Sequence, residues 1–411
     1  MLILLLLGFL LAWLLADFVY RRYWDRGLEI LVQFADDSVY EGDSTILREE
    51  ISNNKYLPMP AVEICMAMSR NLEFSSPEKE NSNITDQNYK RDVFSFLGHQ
   101  KVIRRIPVSC PKRGFYQITK VQVLAYDLSY SSHFYRELDQ HTQMYVYPRR
   151  VDVQRISLIC QAISGMVLVQ NRLYPDPFEF SGIREYQRAD PMNRINWKAS
   201  AKNGNLMVNQ QDSTTSITVT LILDVEDSGI LKYESLTEES IRIVASLAAR
   251  LVGAGMELDV IGNAAAGQLN VNGNAAAEQP NVNGNAAAMK PEADSNAAAG
   301  QPEGTSSAQH LAIHIKSGAG RMQELNRMLA CIDTKIPADD IRGILEDEIH
   351  KKVTGHIYVL VSKNVYPETG SLLERLSAGN NQILWVAPVH RNMMAEEFRK
   401  PGVQRMRWEV E

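Results

Sequence analysis

Ile217-Thr-Val-Thr-Leu-Ile-Leu-Asp224 is an apolar run that ends on a carboxylate. Near-continuous apolarity over so few residues is what a strand buried on both faces requires, because a strand with one wet face alternates instead. Downstream, Ser235-Leu-Thr-Glu238 matches a capping box, and Ile241, Val244, Leu247, Ala248 and Leu251 mark one helix face before Gly253. A strand over Met256 to Ile261 follows, then LAIHI (Leu311 to Ile315) and helices near Met322 to Leu329 and Ile341 to His350. The strand HIYVLVS, a helix near Ser371 to Leu376 and the strand QILWVAP complete the series. Strand and helix in turn predict a doubly wound parallel α/β sheet over 213–411.

A repeat interrupts that domain. Gly262, Gly273, Gly284 and Ser295 each open an Asn-Ala-Ala-Ala unit. These units carry almost no large apolar side chains and cannot offset chain entropy by burial, so 262–310 is expected to be a disordered insertion rather than a solenoid.

Upstream, over 27–148, short apolar runs alternate with breakers: LEILVQF, STILREEIS, AVEICMAM, KVIRRIPVSC, FYQITKVQVLAY and QMYVYP. This spacing predicts an all-β, Ig-like antiparallel sandwich, with Glu73 to Asp92 as a long polar loop. The formal charge of -6 excludes a general affinity for nucleic acid. Cys65, Cys110, Cys160 and Cys331 lie far apart with no CxxC spacing, so neither zinc site nor disulfide framework is signalled.

The first residues differ in kind. Leu2 to Ala16 carries no charge, and Phe18, Val19 and Tyr20 extend the run past Asp17 to Arg21 and Arg22. A bilayer span needs about 20 residues, which is reached here only if Asp17 and the aromatic residues sit at the interface. No basic residue precedes Leu2, which disfavours a signal peptide. The expectation is a single-pass anchor over 1–20 in the cell membrane, with Arg21, Arg22 and Arg26 placing the rest on the cytoplasmic side.

Between the two domains, over 149–212, lies a mixed segment. From Gly182 it reads Gly-Ile-Arg-Glu-Tyr-Gln-Arg-Ala-Asp-Pro-Met-Asn-Arg-Ile-Asn-Trp-Lys-Ala-Ser-Ala-Lys. In its residues Gly182, Arg184, Glu185, Tyr186, Asp190, Arg194, Ile195, Trp197, Ser200 and Ala201, this stretch resembles the signature of the domain of unknown function 58 family. Ala189 and Lys202 stand where that family usually has Gly and Arg. Lys112 to Tyr116 and the Val-Tyr-Pro strand also fit its order. The resemblance implies an N-terminal membrane segment, a sandwich, and a domain of von Willebrand factor A type. It also implies a MoxR-type AAA+ ATPase as partner, for which the chain would be a membrane-anchored adaptor in assembling an envelope or protein complex.

Two readings of the signature stay open. Arg184, Arg188, Arg194, Lys198 and Lys202 can pair with Glu185 and Asp190 to lock 149–212 onto the α/β domain, with Trp197 buried as the anchor. Alternatively, Arg184, Trp197, Lys198 and their neighbours form a docking surface for an acidic or phosphate-bearing partner, since Arg and Trp dominate interface hot spots.

A-type domains often hold Mg²⁺ through Asp-x-Ser-x-Ser. Here Asp224, Glu226 and Ser228 match with Glu in the middle, a degenerate site. The rival role for Asp224 is to cap the following turn. If the ion is present, the chain reads instead as a Mg²⁺-dependent binding module for a protein carboxylate, acting without an ATPase. Catalysis is not expected: GxGxxG after a strand, GxxxxGK[ST], HExxH and GxSxG are all absent. A hydrolase centred on Asp190, Arg194 and Lys198 would lack a nucleophile and base.

Overall fold

The computed structural model describes residues 2–410 except 75–81, 85–86, 128–129, 131, 174–179, 188–189, 191, 193–194, 212–217, 228–231, 265–310, 316–319 and 392–401. Nearly all of the 11-residue repeat therefore lies outside the described residues, as do Arg194 and Ser228.

The chain opens with helix α1 (Leu2–Tyr23). A β-domain follows, made of β1 (Leu28–Phe34), β2 (Ser38–Tyr40), β3 (Ser44–Asn53), β4 (Met59–Ser69), β5 (Glu73–Phe74), β6 (Ser82–Ile84), β7 (Gln87–Phe96), β8 (Gln100–Ser109), β9 (Gly114–Tyr126) and β10 (His133–Tyr147). Its strands form two sheets, ordered β1-β3-β8-β5 and β2-β10-β9-β4-β7-β6. Val32, Leu47 and Ile106 of the first sheet share one core with Ile64, Val121 and Met144 of the second. All the pairs are antiparallel except β2–β10, which is parallel.

The stretch expected to be a loop, 73–92, contains β5, β6 and the first half of β7. Its alternation was hidden because the inward positions are polar: Asn88, Lys90 and Asp92 are all buried. The Lys90 ammonium lies 3.2 Å from Asp92, which also meets Arg104 at 3.0 Å. Buried charges persist only when paired in this way.

After the β-domain come α2 (Val153–Leu173), β11 (Phe180–Glu185), α3 (Trp197–Asn203) and β12 (Met207–Gln211). The α/β domain then contains β13 (Val219–Leu223), α4 (Glu234–Gly253), β14 (Leu258–Gly262), β15 (Leu311–Ile315), α5 (Gly320–Cys331), α6 (Ile341–His350), β16 (Ile357–Val361), α7 (Pro367–Ser377), β17 (Gln382–His390) and β18 (Val403–Val410). Its sheet order is β15-β14-β13-β16-β17-β18.

Strand β13 is buried throughout. Leu221 and Leu223 face a core shared with α2, α4 and α5, while Ile222 faces α6 and α7. A strand covered on both faces has no solvent-facing position to offer, which is why its run is nearly continuous, with Thr220 its one polar side chain.

Two features correct the expected fold class. The sheet is not wholly parallel, because β15 pairs antiparallel with β14 and forms one edge. The expected parallel sheet is therefore not what forms; the sheet is mixed, with an antiparallel strand at its β15 edge.

The second correction concerns the membrane. Among the described residues, no helix is long and apolar enough to cross one. The aromatic end that a span would have placed at the lipid interface belongs to the β-domain: Tyr20 is buried and its hydroxyl donates to the Tyr126 carbonyl at 2.9 Å. Trp24, also buried, stacks on Phe134 at 5.5 Å, and Asp17 pairs with Arg21 at 2.9 Å. That leaves Leu2 to Ala16, which at 1.5 Å per residue reaches about 22 Å, short of the roughly 30 Å of hydrocarbon. The single-pass anchor over 1–20 is thus overturned. The placement at the cell membrane with a cytoplasm-facing soluble part rested on that anchor and falls with it.

The two domains meet through charge. Arg113, at the start of β9, donates from Nε and Nη2 to both Glu238 oxygens at 2.6 and 2.9 Å. Its Nη1 also reaches the carbonyls of Leu329 and Ile332 where α5 ends. Arg242 on α4 makes the reciprocal contact with Glu41, at 2.5 and 3.0 Å.

Candidate functional site

The signature segment folds as a small hairpin. β11 pairs antiparallel with β12, setting Arg184 opposite Val208 and Glu185 opposite Met207. Tyr186 N–H extends the ladder to the Leu206 carbonyl at 2.8 Å, and Ile195 bridges to Val208.

Helix α3 is capped at both ends by local chemistry. Asn196 Oδ1 accepts from Ala199 N–H at 3.0 Å, and Gly204 ends the helix at φ 75°, a left-handed conformation that Gly adopts freely. Ser200 fixes the helix to β12, because its hydroxyl donates to the Asn196 carbonyl and accepts from Met207 N–H, both at 2.8 Å.

Arg184 grips Asp190 with two hydrogen bonds, at 2.6 and 2.7 Å, and this contact raises the guanidinium pKa above its ordinary value. Asp190 in turn accepts from Gln187 N–H at 2.8 Å, closing the turn after β11. Gly182 has open space where a Cβ would point, so neither backbone strain nor crowding requires it to be Gly.

The structure thus gives Arg184, Asp190 and Ser200 internal duties. Glu185 faces solvent and accepts from Asn205, and Tyr186 is half-buried. Trp197 does the opposite of anchoring: it is 67% exposed. Ile183, Met192 and Leu206 of the same unit are exposed as well, and so is Lys198. Asp190 is already committed to Arg184, which leaves no base for a hydrolase at this position.

The second candidate site lies where β13 and β16 end, at the point where the chain order reverses and α/β sheets commonly place their ligands. Asp224 is fully buried, and burial raises its carboxyl above the usual range despite the hydrogen bonds that oppose it. Four donors fill its two oxygens. Asn263 Nδ2 at 2.7 Å and Glu226 N–H at 3.0 Å reach Oδ1, while the Ser362 hydroxyl at 2.5 Å and Asn364 Nδ2 at 3.1 Å reach Oδ2. Asn263 also donates to the Asp339 carbonyl, and Asn364 to that of Glu226.

A divalent ion does not fit this set. Mg²⁺ needs carboxylate oxygen lone pairs and room for water, and here the lone pairs of the central carboxylate are already taken. Lys363, between Ser362 and Asn364, adds a positive charge 2.6 Å from Asp227. Among the described residues no group of three or more His, Cys, Asp or Glu could hold a metal ion. Asn263, Ser362 and Asn364 were missed from sequence because amides and hydroxyls carry no metal or catalytic signature, and Asn263 looked like repeat.

A nucleophile–base contact occurs elsewhere among the described residues. The Ser235 hydroxyl lies 3.2 Å from His390 Nε2 on the surface. Among the described residues no carboxylate is hydrogen-bonded to that ring, so the third member of a hydrolytic triad is missing.

Fold and sites together define a two-domain protein with a buried polar lock at the ends of its central strands β13 and β16 and, between its domains in sequence, an exposed hairpin. Residues 182–314 match the family described as "Protein of unknown function DUF58". No curated protein matches the chain.

Among solved structures, the chain is similar to a non-cellulosomal cohesin from the hyperthermophilic archaeon Archaeoglobus fulgidus. Identity is 11% over 29% of this chain and 91% of that one, with a TM-score of 0.20. A type II cohesin domain from the cellulosome of Acetivibrio cellulolyticus shares 7% identity over 29% of this chain and 94% of its own, at a TM-score of 0.22. The CARDB domain of a Pyrococcus furiosus protein, solved with two metal ions, shares 10% over 28% and 90%, at 0.18. Likeness at this level carries no argument about the present chain.

The membrane-anchored adaptor for a MoxR-type AAA+ ATPase is overturned with its anchor, because an adaptor of that kind must be held at the membrane and no described helix can span one. The alternative, a Mg²⁺-dependent binding module acting without an ATPase, loses its ion at Asp224 for the reasons above.

Proposed function

We propose that the protein is a non-catalytic binding protein and that the β11–α3–β12 hairpin is its docking surface for an acidic protein segment with an apolar anchor. The observation that carries this reading is Trp197, a large aromatic side chain at the first turn of a short capped helix, left 67% exposed. Exposed tryptophan is costly to solvate and is enriched where interfaces concentrate their energy.

Charge supports the choice of partner. From Gly182 to Lys202 the chain has five basic residues (Arg184, Arg188, Arg194, Lys198 and Lys202) against Glu185 and Asp190, in a protein of net charge -6. Such a local excess attracts an acidic surface and repels little of its own chain. The internal contacts of Arg184, Asp190 and Ser200 serve this role by fixing Asp190 to β11 and α3 to β12, so these groups need less ordering on binding.

The test compares the whole protein with Trp197→Ala. Partners retained from a cell extract by the wild type are identified, and their affinity is measured directly for both forms. Loss of a central aromatic anchor is expected to weaken binding about 10- to 100-fold, roughly 1.4–2.7 kcal/mol, with thermal stability unchanged. Equal affinity for the two forms sinks the hairpin as the docking site.

A further inference from the structure

We propose that the crevice at the C-terminal ends of β13 and β16 is closed by the protein's own ammonium group, Lys363, in the place where a divalent cation would otherwise neutralise the acidic loop. Three observations meet here. Asp224 is 1% exposed and its oxygens are filled by Asn263, Glu226 N–H, Ser362 and Asn364, so it has nothing to offer an ion. Lys363 is a long cation whose side chain is only 4% exposed, and its Nζ lies 2.6 Å from Asp227 Oδ1. Asp227 follows the end of β13 and also accepts, at 3.4 Å, from Tyr233 N–H at the start of α4.

The ammonium therefore ties the loop after β16 to the loop after β13, which is the mechanical task a bridging ion would perform. A lysine tether differs from an ion in one respect that matters: it cannot dissociate, and it leaves no vacant coordination position for a partner's carboxylate. Lys363 and Asp227 are thus held together whatever the cation concentration. This inference does not depend on the hairpin being a docking surface.

The experiment uses the full chain and follows thermal unfolding in EDTA and in millimolar Mg²⁺, Mn²⁺ or Ca²⁺. A cation bound only to the folded state raises the transition temperature by mass action. The wild type is expected to move by no more than about 1 °C under any of these conditions. Lys363→Met is expected to lower the transition by several degrees, because it strands Asp227. Lys363→Met combined with Asp227→Leu, which removes both charges, is expected to recover more than half of that loss. A wild-type rise beyond that limit which Asp224→Asn abolishes would overturn the proposal, and so would a Lys363→Met protein as stable as the wild type. The cation titration of the wild type decides the question even where a variant does not fold.

Discussion

Single residues carry the energetics that join the two domains. Glu41, 7% exposed at its side chain, and Arg242, 18% exposed, form a bidentate pair across the interface, with Glu239 on the other side of the guanidinium. Burial pushes the Glu41 carboxyl up, but the hydrogen bonds and charge of Arg242, aided by Arg149, outweigh it and hold the pKa below the ordinary 4.5. A carboxyl depressed in the folded state adds stability that is fully present above its unfolded value and is lost as pH falls through the folded one. Titration from pH 6 downward should therefore cost the wild type stability below about 4.5, and Arg242→Ala should flatten that part of the profile, as read by denaturant midpoints at each pH. An unchanged acid limb in the variant would show that other carboxyls govern acid unfolding.

At the scale of elements, the ends of strands and helices decide more than their middles. Gly262 closes β14 with a negative φ, yet a Cβ there would stand 2.9 Å from the Leu223 carbonyl and 3.2 Å from Leu311. Two neighbouring strands approach too closely for any side chain, and one of the clashing atoms is backbone, which cannot yield easily. Gly262→Ala should cost about 1–3 kcal/mol in equilibrium unfolding, as overpacking does. The following Asn263 would be displaced with it, releasing its contacts to Asp224 and Asp339. Helix α1 shows the same logic, since its last turn is set by Tyr20 and Trp24 packing on the β-domain rather than by the apolar run before them. The first part of β7 makes the converse case: its inward side chains there are Asn88, Lys90 and Asp92, which leave no hydrophobic period to read before Phe94 and Phe96.

Over the whole molecule, Arg113 is the principal clasp. Its side chain is 3% exposed, lies on the β-domain, and satisfies both a carboxylate of α4 and carbonyls at the end of α5. Arg113→Ala strands Glu238 and these carbonyls together, which should cost about 3–5 kcal/mol. Because the cost falls on the interface, each domain should keep its own core. The wild type is expected to unfold in a single transition, followed by fluorescence in denaturant, and this transition should broaden or split in the variant. A sharp single transition at the wild-type midpoint would mean that the domains are coupled by other contacts.

How much of this could be read from the chain depends on where each signal resides. Local signals survived in part: the apolar run ending at Asp224 is strand β13, because burial on both faces is written in consecutive residues. The capping box at Ser235 does not form, since α4 starts at Glu234 with Tyr233 as its N-cap and no side-chain cap, and the Ser235 hydroxyl meets His390 instead. Pairing of Arg184 with Asp190 was expected as part of a lock onto the α/β domain, whereas the pair closes a turn within the hairpin itself. The fate of Trp197 could not be read, because the same indole serves equally as a core anchor or as a docking group until its neighbours are placed. The lock around Asp224 was equally hidden, since Asn263, Ser362 and Asn364 stand 39, 138 and 140 residues away in sequence. Sequence alone determined strands and helices where an apolar period marks them, as in β13 and α4 but not over 73–92, because that signal depends on neighbours along the chain. Only the tertiary structure decided that a carboxylate suited to an ion is instead saturated by amides and a hydroxyl beside a buried lysine, because that outcome depends on which distant groups reach one small volume first.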